Sequence, residues 1–147
     1  MTESRLATIV IADDDRDDRM LIEDAFRENR LANPRVYVED GEQLLAHLRS
    51  TLVAAGDRSV PPALVLLDLN MPRLDGRGVL AKMKVDPDLR RIPVVVLTTS
   101  KAEEDILRTY DLGVNSFITK PVTYDALVQV VKVLKDYWIE ISRLPPQ

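Results

Sequence analysis

Five short apolar runs alternate with five segments of helical spacing, and this alternation restricts the fold more than any single residue does. The runs fall at residues 6–12, 35–39, 63–67, 94–97 and 116–119 and are rich in Val, Ile and Leu. Several are nearly continuous, which suits parallel strands buried on both faces. Among the helical stripes, Met20, Leu21, Asp24, Ala25 and Glu28 begin the first, and Leu44, Leu45, Leu48 and Leu52 make the second. Val79, Leu80 and Met83 make the third, and Ile106, Leu107 and Tyr110 the fourth. Leu127, Val130, Val131, Leu134 and Trp138 make the fifth and longest. Turn signals such as Asn33-Pro34, Asp40-Gly41, Asp75-Gly76 and Lys120-Pro121 separate the two kinds of segment. Five strands, each followed by a helix, predict an α/β fold: a doubly wound five-stranded parallel sheet. Right-handed crossovers place helices on both faces. Ligands in such a sheet bind beyond the carboxyl ends of the strands, where strand order reverses.

Composition bounds the alternatives. A length of 147 residues fits one domain, and 46 % apolar with 30 % charged residues fits a globular core. With no cysteine, disulfides, thiolate metal sites and cysteine nucleophiles are excluded. A formal net charge of −4 argues against nucleic acid as a partner. No apolar run approaches a bilayer-spanning length, and the polar N-terminus lacks the order of a signal peptide. The expectation is a soluble cytoplasmic protein without a membrane partner.

The carboxyl ends of the runs give a short list of chemistry-bearing residues. The first run ends at Asp13-Asp14-Asp15, the third at Asp68, the fourth at Thr98-Thr99-Ser100 and the fifth at Lys120-Pro121. Carboxylates gathered in one mouth repel: at about 4 Å and an effective dielectric of about 20, a like pair costs on the order of 4 kcal/mol. Lys120 offsets part of this, and a hard divalent cation, Mg²⁺ above all, offsets more. A carboxylate in such a site can act as a nucleophile and form an aspartyl phosphate. The cation and Lys120 would then neutralise the equatorial oxygens of the transferring group. The Thr98 hydroxyl would hydrogen-bond the attached phosphoryl, a bond absent beforehand and therefore able to bias a two-state loop.

These residues resemble the receiver domain of two-component response regulators. The resemblance rests on the acidic pair in Ile-Ala-Asp13-Asp14-Asp15, on Asp68-Leu69-Asn70-Met71-Pro72 followed by Asp75-Gly76, on Thr98 at the end of a Pro-Val-Val-Val-Leu run, on Lys120-Pro121, and on the gaps between them. It implies a flavodoxin-like fold with strand order 2-1-3-4-5, residues 1–147 forming one receiver domain and 139–147 a short C-terminal extension. It implies that Asp68 accepts phosphate from a histidine kinase, that Asp14 binds Mg²⁺ directly with the help of Asp13, and that the backbone carbonyl of Asn70 is a further ligand beside Asp68. Thr98 and Lys120 would contact the phosphoryl oxygens. Phe117 takes the aromatic switch position, where family members often carry Tyr, so a hydroxyl-dependent version of that switch is excluded. The family often has a cis peptide before the proline at Pro121.

Other readings are weaker. The run from Asp13 to Asp18 superficially suggests a Ca²⁺ loop, but Asp18 and Asp24 stand where Gly and a bidentate Glu belong. Asp15, Asp17 and Asp18 read as a solvated helix start, one of them capping it. A phosphatase resembling the haloacid dehalogenase family needs a second acid two residues after the nucleophile, where Asn70 stands, so turnover of an external substrate is not expected. His47 has no companion ligand. The remaining alternative is a pseudo-receiver that binds partners and takes no phosphate, for which the acidic cluster has no physical use.

Only residues 139–147 follow the last stripe, too few for an output domain. The expectation is a stand-alone receiver whose output is protein contact or onward phosphotransfer. Tyr137, Trp138, Ile139, Ile141 and Leu144 form an apolar ending suited to a two-fold homodimer. That ending is similar to those of single-domain regulators paired with bacterial phytochrome kinases, which implies a sensor histidine kinase of that type as partner.

Overall fold

The computed structural model describes residues 8–55, 64–69, 71, 73–98 and 116–136. Their strands are β1 (Ile9–Ala12), β2 (Arg35–Val38), β3 (Leu64–Asp68), β4 (Val94–Thr98) and β5 (Ser116–Thr119). Their helices are α1 (Arg16–Glu28), α2 (Gly41–Ala55), α3 (Gly76–Lys84) and α4 (Tyr124–Leu134), with a short 3-10 turn at Leu89–Arg91. The fourth helical stripe, at Ile106, Leu107 and Tyr110, and the C-terminal extension lie outside the described residues. No helix among the described residues is long and apolar enough to cross a membrane.

All four strand pairings are parallel, in the order β2-β1-β3-β4-β5, so the expected flavodoxin-like arrangement is present. Strand residues alternate between two cores. Val10, Ala12, Val65, Leu67, Val94 and Val96 face Leu44, Leu48, Val79, Leu80 and Met83 of α2 and α3. Ile9, Ile11, Leu64, Leu66, Val95 and Leu97 face Ile22, Ala25 and Phe26 of α1 and Val131 and Leu134 of α4. Burial on both faces explains why these strands read as continuous apolar runs.

Side chains fix where the helices begin. The Asp15 carboxylate accepts hydrogen bonds from the backbone N–H groups of Asp17 and Asp18 and caps α1, as expected of one member of that run. Asp75 caps α3 and Thr123 caps α4 in the same way. Which face of α1 packs on the sheet corrects the sequence reading. The buried stripe is Ile22, Ala25 and Phe26, whereas Met20 and Leu21 are 56 % and 44 % exposed and Asp24 and Glu28 are exposed. Of that expected stripe only Ala25 is buried. The Lys120–Pro121 peptide is trans, not cis, which is the intrinsically favoured isomer for X–Pro bonds.

Candidate functional site at the carboxyl ends of the strands

Strand register assembles the site. Ala12 pairs with Leu67, so Asp13, one residue beyond, lies beside Asp68 at the end of β3. Asp68 pairs with Leu97, and Thr98 pairs with Thr119, which brings Lys120 to the same edge. The Asp13 N–H donates to the Val38 carbonyl at 3.0 Å, which keeps the chain in extended form just past β1. Its carboxylate Oδ1 accepts from the Asp15 N–H at 2.9 Å.

One carboxylate oxygen from each of Asp13, Asp14 and Asp68 lies within 4.8 Å of the others. Asp13 and Asp68 are buried and Asp14 is exposed, so the cluster opens to solvent on one side. Lys120 Nζ lies 3.3 Å from Asp13 Oδ2, 3.3 Å from Asp68 Oδ2 and 3.0 Å from Asp18 Oδ2. Arg19 Nη1 donates to the Asp13 backbone carbonyl at 2.7 Å.

Burial dominates the electrostatics of Asp13 and raises its pKa from 3.8 to about 6. The Asp15 N–H and Lys120 pull the other way, while Asp68 and Asp18 push it further up. Burial also works against the charged form of Lys120, but Asp13, Asp68 and Asp18 outweigh it and raise its pKa. Three carboxylates thus share one ammonium in a partly closed mouth, with Asp14 beside two of them. Such a set of hard oxygen donors with surplus negative charge fits a divalent cation of the Mg²⁺ type.

A protein-family model, the response regulator receiver domain, matches residues 9–132. The chain belongs to the response regulator receiver family. Response regulator Rcp1 of Synechocystis is 37 % identical over 137 residues, covering 93 % of this chain and 92 % of that protein. The crystal structure of the phosphorylated cyanobacterial phytochrome response regulator RcpA is similar at TM-score 0.80 and 42 % identity, covering 96 % of this chain and 99 % of RcpA. The Mn²⁺-bound form of Rcp1 is similar at TM-score 0.75 and 37 % identity, covering 95 % of this chain and 99 % of that one. The receiver is a signalling module of the phosphorelay. Receivers bind Mg²⁺, and the Asp13, Asp14 and Asp68 cluster supplies the oxygen donors such an ion takes.

The receiver therefore brings Asp13, Asp14, Asp68 and Lys120 together as expected from sequence. Thr98 ends β4 and Phe117 lies within β5, while Asn70 lies outside the described residues. Asp18 was read only as part of a solvated helix start, yet it holds Lys120. No local signal marks it, because its partner lies 102 residues away, just past the end of β5.

Proposed function

We propose that Asp68 is the phosphoacceptor of this receiver and that a sensor histidine kinase is its donor. A carboxylate oxygen of Asp68 attacks the phosphorus of a phosphohistidine. The P–O bond forms, the P–N bond breaks and the imidazole leaves. The observation that carries this reading is the buried Asp68 carboxylate with Lys120 Nζ at 3.3 Å and Asp13 and Asp14 alongside. Asp13, Asp14, Asp68 and the Asn70 carbonyl would hold Mg²⁺. When bound, Mg²⁺ neutralises charge on the nonbridging phosphoryl oxygens. Lys120 neutralises the same oxygens from the β5 side, and its raised pKa keeps it protonated for this work. Thr98 donates its hydroxyl to the attached phosphoryl, and Phe117 repositions with it as the switch.

The phosphorylated state of RcpA, and its description as a phytochrome response regulator, support a phytochrome-type histidine kinase as the partner. We read residues 1–147 as one cytoplasmic receiver, with 139–147 as an extension that pairs two copies through α4 and the apolar residues after it. Its output is protein contact or onward phosphotransfer, with no nucleic acid, no membrane and no external substrate turned over.

The test is incubation with Mg²⁺ and acetyl phosphate followed by intact-mass measurement. One base-labile phosphoryl adduct is expected, lost in Asp68→Asn and in excess chelator. No adduct on the wild-type chain, or one that persists in Asp68→Asn, overturns the assignment.

A further inference from the structure

Two loops that leave the sheet beside the acidic mouth are fastened to each other. Arg73, between β3 and α3, donates from Nε to Asp40 Oδ2 at 2.8 Å, and its Nη2 lies 2.8 Å from the same oxygen. Asp40 is 1 % exposed and stands between β2 and α2. Its other oxygen accepts from the Gln43 N–H at 2.8 Å, so the carboxylate joins a helix start to a neighbouring loop. A backbone bond runs in parallel, from the Gly41 N–H to the Leu74 carbonyl at 3.0 Å.

Arg73 holds this geometry in an unfavourable backbone conformation. Its φ is 64°, in the left-handed region that non-glycine residues avoid. Strain of this kind persists where surrounding contacts over-determine it, and it concentrates near functional sites. The two fastened segments each lead to a carboxylate of the mouth. Val38, which ends β2 two residues before Asp40, accepts the Asp13 N–H at 3.0 Å. The other segment follows directly from Asp68, and Gly76 N–H returns to the Leu69 carbonyl at 2.9 Å to close it. The ion pair therefore links the backbone that holds Asp13 to the backbone that carries Asp68.

We propose that Arg73 and Asp40 are positioning residues, a clasp that fixes the spacing of Asp13 and Asp68 and so sets the affinity of the mouth for a divalent cation. The proposal rests on reading Asp13, Asp14 and Asp68 as a Mg²⁺ site. Arg73 touches neither cation nor phosphoryl; it acts through the two loops. Its fork of two nitrogens on one buried oxygen restricts the relative position of those loops more than a single ammonium does.

Calorimetric titration of Mg²⁺ into the wild-type chain, Arg73→Gly, Arg73→Lys, Asp40→Asn and the Gly/Asn double variant tests it, with thermal midpoints measured without Mg²⁺. Glycine removes the side chain and relieves the left-handed φ, so the fold is kept while the clasp is lost. Asparagine keeps an acceptor for the Gln43 N–H. Mg²⁺ binding weakens about 3- to 10-fold in Arg73→Gly and Asp40→Asn, less than loss of a group bonded directly to a ligand costs. Arg73→Lys falls between these and wild type, and the double variant is no worse than either single one. Mg²⁺ affinity within about twofold of wild type in Arg73→Gly and Asp40→Asn, or losses that multiply in the double variant, overturns the clasp. A wild-type chain that takes up no Mg²⁺ overturns the metal-site reading itself, and with it the clasp.

Discussion

Lys120 Nζ lies 3.0 Å from the Asp18 carboxylate, nearer than to Asp13 or Asp68, each at 3.3 Å. The ammonium is thus shared between the mouth of the sheet and the first turn of α1. Asp18 is more exposed than the other two acids, so its hold on Lys120 is the weakest energetically despite the shorter distance. Asp18→Asn releases Lys120 toward Asp68. Phosphorylation by acetyl phosphate is expected to speed up about two- to fivefold, the scale of an ion pair worth up to about 1 kcal/mol. Initial rates of adduct formation at fixed Mg²⁺ check this, and an unchanged or slower rate contradicts it.

Asp13 carries a charge that burial penalises. The rise from 3.8 to about 6 corresponds to about 2–3 kcal/mol of unfavourable free energy for the ionised form at neutral pH. Asp13→Asn keeps an oxygen to accept the Asp15 N–H and removes the charge. Without Mg²⁺ the variant is expected to be more stable than wild type at neutral pH by up to that amount. Added Mg²⁺ stabilises the wild type by mass action and leaves the variant nearly unmoved. Thermal melts with and without Mg²⁺ give both results. A variant that melts below metal-free wild type refutes the argument.

Glu23 is the hub of a separate network on α1. It accepts from Arg35 Nε at 2.7 Å and Nη2 at 2.8 Å, from the Tyr37 hydroxyl at 2.6 Å and from Arg27 Nε at 2.9 Å. The Arg35 hydrogen bonds lower its pKa most; burial opposes them, and Tyr37 and Arg27 assist, bringing it from 4.5 to about 2. A depressed carboxylate pKa means the unfolded chain takes up protons first. The stabilisation is therefore complete above about 4.5 and is lost as pH falls toward about 2. Glu23→Gln is expected to cost about 2 kcal/mol at neutral pH and progressively less below pH 4.5. Urea unfolding of both proteins at neutral pH and near pH 3.5 measures the difference, which fails if it stays constant.

Gly41 opens α2 against the loop that follows β3. A Cβ there would collide with the Leu74 carbonyl oxygen and sit 2.7 Å from a Val79 methyl. The first obstacle is backbone, so the loop itself has to move. Gly41→Ala is expected to destabilise the receiver by about 1–3 kcal/mol, the usual cost of overpacking, despite the better helix propensity of Ala. It should also weaken Mg²⁺ binding, since the displaced loop begins at Asp68. A melt and a Mg²⁺ titration check the pair, and a gain in stability would contradict the close approach.

The central strands β1, β3 and β4 were legible because they are buried on both faces, which writes them into the sequence as apolar runs. The first strand starts at Ile9 instead of residue 6, the other bounds differ by at most one residue, and Asp68 and Thr98 are the last residues of β3 and β4 instead of following them. The first helix was misread in phase. Met20 and Leu21 are apolar too, and packing of Ile22, Ala25 and Phe26 against the sheet decides which face turns inward.

By itself the sequence determined the alternation of strand and helix and placed Asp13, Asp14, Asp68, Thr98 and Lys120 at strand ends. Those features depend on local composition and on spacing along the chain. Only the tertiary structure decided that Asp18 holds Lys120 and that Arg73 holds Asp40. Those partners are separated by more than a hundred and by more than thirty residues, and nothing in the chemistry of an aspartate beside an arginine-rich helix start distinguishes a solvated charge from a paired one. Parallel register and the packing of α1 and α2 against the sheet bring the charges within reach. Pairing across such distances is a property of the folded geometry, because Coulomb attraction in water is too weak to select partners before the core has formed.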